Sequence, residues 1–82
     1  MLFLLEYKRS EGRLVTFKTF DDSEHSIAQR ARFEIELDLH RKGINHEVVI
    51  LDAASESAVR RTHRRYFETI DEIVRSNGVD TH

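Results

Sequence analysis

The sequence predicts a small α+β domain with the element order β-β-α-β-α. Three observations carry that reading: two β-rich segments near the start are joined by a short glycine-containing link, a capped amphipathic segment follows them, and a compact apolar run precedes a second amphipathic segment. The chain has 82 residues, enough for one core and no second one. Residues 1–78 are assigned to a single domain and 79–82 to a frayed C-terminal tail.

Residues 2–8 (LFLLEYK) and 14–20 (LVTFKTF) are rich in aromatic, β-branched and leucine side chains, and Arg9-Ser10-Glu11-Gly12-Arg13 between them is a hairpin link of the longer kind. Asp21 and Glu24 have capping-box spacing, so a helix is expected to follow and to end near Gly43. Within it Ile27, Ala28, Ala31, Ile35 and Leu39 share a sector of about 120°, a candidate buried stripe. Phe33 and Leu37 lie on the opposite side and need a cover of their own. A competing pattern runs through the same residues: Phe33 to Leu39 alternates with the strand period, and could pair with Glu47 to Leu51 as a second hairpin. The capping signals, glutamates and leucines favour the helix.

His46 to Asp52 (HEVVILD) reads as a buried strand, and Ser55 as the N-cap of a last helix that continues through Arg75 to Asn77-Gly78. Its apolar face is expected to hold Val59, Thr62, Tyr66, Ile70 and Ile73, with His63 and Val74 at one margin. A right-handed crossover through the first helix makes the third strand parallel to the second, with the first strand between them. The result is a three-stranded, mainly antiparallel sheet of order 2-1-3 with both helices on one face. Its other face is then open, and an open apolar face is an association surface. Leu2 and Leu4 on that face, with Phe33 and Leu37, are the expected oligomer interface, and a homodimer is the expected state.

In the last helix Arg60, Arg61, Arg64 and Arg65 crowd the first half, and Glu68, Asp71 and Glu72 follow. This order opposes the helix dipole, which favours acidic residues early and basic residues late. The Arg64-to-Glu68 direction is also the weaker one for an ion pair four residues apart. Such a broken local rule marks a contact surface. The four arginines are therefore the candidate partner-binding residues, for an acidic protein surface first. Nucleic-acid phosphates are the alternative, helped by Lys8, Arg9 and Arg13 in the hairpin. A net charge of −2 and a pI near 6.2 oppose a general nucleic-acid binder, for which a domain pI above about 9 is usual.

The chain has no cysteine, which excludes disulfides and thiolate chemistry and suits a reducing, cytoplasmic setting. No HxxxH spacing occurs among His25, His40, His46, His63 and His82, so neither a metal nor another cofactor is expected. The apolar start Met1 to Leu5 is too short for a membrane span, which needs about 20 apolar residues. His46, Glu47, His63 and Tyr66 together would supply a base, an acid and a phenol, the makings of a polar site near the helix–sheet edge. No nucleophile elbow or phosphate loop accompanies them, so a binding module is favoured over the further alternative, a small enzyme with a site near His63 at a subunit interface.

Overall fold

The computed structural model describes residues 1–68. Strands β1 (Leu2–Lys8) and β2 (Arg13–Phe20) form the hairpin, helix α1 spans His25–Lys42, strand β3 spans Glu47–Asp52 and helix α2 spans Glu56–Thr62. One 3-10 turn (Asp22–Glu24) leads into α1 and another (Arg64–Tyr66) follows α2. The sheet order is β2-β1-β3, with both neighbours antiparallel to β1, as the sequence predicts. Residues 25–42 are helical, so the competing hairpin through Phe33–Leu39 does not form.

Local signals set the element ends. The Glu24 carboxylate accepts the Asp21 N–H at 2.8 Å ahead of α1. At the other end Gly43 takes φ 67°, with its N–H on the His40 carbonyl at 3.2 Å, while the Ile44 N–H reaches the Leu39 carbonyl at 2.9 Å. That pair of bonds is a Schellman closure, and its left-handed residue is the reason a glycine stands there. The Ser55 hydroxyl caps α2 by accepting the Ala58 N–H at 3.1 Å.

The helices do not share a face. Alternation along β1 sends Phe3, Leu5 and Tyr7 to one side, where they form a core with Val59 of α2 and with Tyr66. Leu14, Phe17, Val49 and Leu51 pack around that core, and the Phe3 and Phe17 rings stack at 5.7 Å. Leu2 and Leu4 point to the opposite side, which α1 covers with Ala28 and Leu39. On that side a cleft runs between Glu6 and Lys18 of the sheet and Ala31, Ile35 and Leu39 of the helix. The expected open sheet face is thus closed, and Leu2 and Leu4, 2% and 0% exposed, lie inside the chain rather than on an interface. The cause is the connection after β3: α1, as the crossover, occupies one face, while the chain leaving Asp52 is free to return over the other. A central strand apolar on both sides is what a sheet covered on both sides requires.

Two finer expectations also change. Ile27 is exposed, because Leu39 and Ala28 mark the middle of the buried stripe and Ile27 lies about 120° away from Leu39. More consequentially, α2 stops at Thr62. The Thr62 hydroxyl donates back to the Ala58 carbonyl at 2.9 Å, and His63 leaves helical geometry at φ −125°, ψ 50°. A continuous helix would turn Phe67 about 100° away from Tyr66, whereas the break lets both rings pack into the same core. With α2 confined to Glu56–Thr62, Glu56 sits in the first turn and Arg60 and Arg61 in the last. The charges therefore run with the dipole, and the reversed order inferred for a longer helix disappears. The expectations for Ile70, Asp71, Glu72, Ile73, Val74, Arg75, the Asn77-Gly78 stop and the 79–82 tail lie outside the described residues.

Candidate functional site

The polar quartet His46, Glu47, His63 and Tyr66 is divided by the sheet. Consecutive strand residues point to opposite faces, so His46 and Glu47 cannot serve one site. Glu47 joins Tyr66 on the α2 side: the Tyr66 hydroxyl donates a short hydrogen bond to Glu47 Oε2, which also accepts Arg65 Nη2 at 2.9 Å. Arg65 Nη2 lies 2.6 Å from the Tyr66 oxygen as well, and its guanidinium sits 4.2 Å above the Tyr66 ring. The Tyr7 ring meets Tyr66 edge-on at 5.1 Å. Burial, and next the hydrogen bond to Glu47, push the Tyr66 hydroxyl up to about 12. The same hydrogen bond, with the Arg65 charge, holds the Glu47 carboxyl below its ordinary range against the opposing effect of burial.

His63 lies beside this group without joining it. Its ring is 6.4 Å from that of Tyr66, and its Nδ1 is 2.9 Å from the Thr62 hydroxyl. Since that hydroxyl gives its hydrogen to Ala58, the His63 Nδ1–H is the donor to the Thr62 oxygen. Tyr66 is 4% exposed and its hydroxyl is held by Glu47 and Arg65, so the group closes the end of the core, with the Glu47 carboxylate and the Arg65 guanidinium reaching partly into solvent.

The raised tyrosine has a measurable consequence. Tyr66 ionises near 12 when folded against 10 when unfolded, so its contribution to stability is complete below pH 10 and is lost as pH rises towards 12. We expect the unfolding free energy measured in urea to fall by up to about 2 kcal/mol across that window, and Tyr66→Phe to flatten the fall. An equal alkaline loss in Tyr66→Phe would show that the hydroxyl does not carry it.

On the other face His46 Nδ1 lies 2.6 Å from Oε2 of Glu6, and the Thr16 hydroxyl donates to Oε1 at 2.9 Å. Glu6 and Thr16 are not among the residues singled out from sequence. Their signal is the lone acid in LFLLEYK, which falls in phase with Leu2 and Leu4 and so points inward. Thr16 stands opposite Glu6 beside a bulge, where Val15 is the extra residue of β2.

The arginine group is largely engaged within the chain. Arg60 Nε binds Glu56 at 2.9 Å and its guanidinium lies 4.6 Å over Phe67. Arg64 holds Glu68 at 2.9 and 3.1 Å, Arg65 holds Glu47, and Arg61 is exposed. Ser57, Arg60, Arg61 and Arg64 border a shallow groove floored by Phe67. Phe33 and Leu37 lie on the outward side of α1, 63% and 37% exposed. Among the described residues no three metal-ligating side chains converge, and no helix is long and apolar enough to cross a membrane. Comparison with protein families, curated proteins and solved structures finds no match to this chain.

Proposed function

We propose that this protein is a small assembly module in which two copies meet through the outward face of α1. The carrying observation is Phe33, 63% exposed, one turn from Leu37 on an 18-residue helix whose opposite stripe is already used by the sheet. With Leu39 set at 0°, Phe33 and Leu37 fall at roughly 120° and 160°, and Arg41 and Glu34 border them on one side at roughly 200° and 220°, Glu34 also lining the cleft towards the sheet. An antiparallel two-fold pair centred beside Leu37 sets Glu34 of one copy against Arg41 of the other, twice over, so the face is self-complementary in charge. The neighbouring charges instead pair along the helix, Arg32 with Glu36 at 3.1 Å and Lys42 with Asp38 at 3.0 Å. Contact by a single helix buries less than the standard interface of about 1,600 Å², so the dimer is weak and concentration-dependent.

The arginine segment supports partner binding less well. An acidic protein or a nucleic-acid phosphate approaching Arg60, Arg64 or Arg65 has to displace a carboxylate already in place.

Sedimentation equilibrium from about 10 µM to about 1 mM tests the assembly reading, since dissociation constants in this range correspond to roughly 4–7 kcal/mol. Wild type is expected to shift towards dimer with concentration, and Phe33→Glu to remain a folded monomer by circular dichroism. Arg41→Glu should weaken the dimer, and adding Glu34→Arg should restore it. A wild-type monomer throughout, or a dimer indifferent to Phe33→Glu, overturns the reading.

A further inference from the structure

Glu6 is the one charged residue enclosed in the central strand, 8% exposed among neighbours that are almost wholly buried. An enclosed carboxylate held by a histidine is often no more stable than an apolar pair of the same volume. What distinguishes the arrangement is the orientation it imposes on His46. With Nδ1 committed to Glu6, Nε2 is the nitrogen left for another partner. His46 also lines a groove of about 480 Å³ between the β1–β2 turn and the loop after α1, and its other walls are Lys8, Arg9, Ser10, Ile44 and Asn45. Among the described residues no carboxylate lines it. Lys8 Nζ is paired with Glu11 at 2.8 Å, while the Arg9 side chain is 76% exposed and only 3.9 Å from Glu47 at its closest.

We propose that this groove binds a small phosphate monoester. Its volume falls in the range of small-molecule sites, and its donors suit a group with three terminal oxygens. Arg9 offers a guanidinium fork, His46 offers the ring nitrogen Nε2 that Glu6 leaves free, and Ser10 and Asn45 offer neutral donors. Lys8 adds positive charge at the rim. Glu6 is a positioning residue: its buried carboxylate fixes the ring so that Nε2 is presented to the groove, and Thr16 holds the carboxylate. This site lies on the hairpin and the strand-entry loop, apart from the outward face of α1.

The test is an NMR titration of the full chain with inorganic phosphate and with glycerol phosphate, at constant ionic strength maintained with chloride. Saturable shifts are expected at the His46 ring and at the Arg9, Ser10 and Asn45 amides, with a dissociation constant on the order of 1 mM. Loss of one charge-assisted hydrogen bond, in Arg9→Gln or His46→Gln, should weaken binding about tenfold, whereas Arg61→Gln should leave it unchanged. Arg9 lies in an exposed turn, so its replacement does not endanger the fold. The proposal is overturned by the absence of saturation up to about 20 mM, by undiminished affinity in Arg9→Gln, or by shifts centred on Arg60 to Arg65. Attachment to phosphatidic-acid vesicles without response to the soluble ester overturns it too, in favour of a membrane surface.

Discussion

Replacing His46 by alanine is expected to destabilise the protein by about 1–3 kcal/mol, the cost of leaving an enclosed carboxylate short of a hydrogen-bond partner. The side chains of Glu6 and His46 are 11% and 12% exposed, and the 2.6 Å contact between them is the shortest that Glu6 makes. Without the imidazole, the Thr16 hydroxyl is the remaining side-chain partner of this carboxylate among the described residues. The cost is that of leaving charge desolvated, and differs from the worth of the pair itself. The distinction can be measured: Glu6→Leu combined with His46→Leu and Thr16→Val should recover most of the loss, because an apolar cluster of similar volume needs no partner. Urea unfolding of the single and triple variants would decide it. A loss below about 1 kcal/mol in His46→Ala would mean that water reaches Glu6 and that the pair is not structurally enclosed.

The second large effect separates two phenylalanines. Phe3 is 0% exposed, stacks on Phe17 and belongs to the core shared with Val59 and Tyr66. Phe3→Ala removes buried area and leaves a cavity between sheet and helix, at a cost of about 3–5 kcal/mol. For an 82-residue domain that approaches the whole stability, which lies near 5–15 kcal/mol for small proteins. Phe33→Ala, on the outward side of α1, should change monomer stability by no more than about 0.5 kcal/mol. Denaturation of both variants at a concentration too low for dimerisation makes the comparison clean. Equal losses would place Phe33 in the core and remove the exposed face on which assembly rests.

The same two residues show how far sequence reading reaches. Phe3 lies in the apolar run Met1 to Leu5 and Phe33 between Arg32 and Glu34, and helical periodicity correctly sets Phe33 and Leu37 opposite the Leu39 stripe. Periodicity also points Leu2 and Leu4 away from Phe3 and Leu5. It cannot say what covers each side, because the cover comes from residues distant in the chain. The inference of an open face failed at that step. The charge order expected for a helix through Arg75 is lost for a related reason: Tyr66 and Phe67 both turn into the core, and α2 gives way at His63. Of the proposed polar quartet, Glu47 and Tyr66 do meet, while His46 pairs with Glu6 across 40 residues of sequence.

The sequence by itself determined the elements, their order, the antiparallel hairpin, the Gly43 stop, the Ser55 cap and the 2-1-3 sheet order. These depend on hydrogen bonds within a few residues, on side-chain periodicity and on the handedness of a crossover, all of which are written locally. Only the tertiary structure decided which face each helix covers, where α2 ends, and which acid meets which histidine. Those outcomes depend on burial and partner satisfaction summed over segments far apart in the chain, where a polar group's cost is set by what the rest of the fold brings to it.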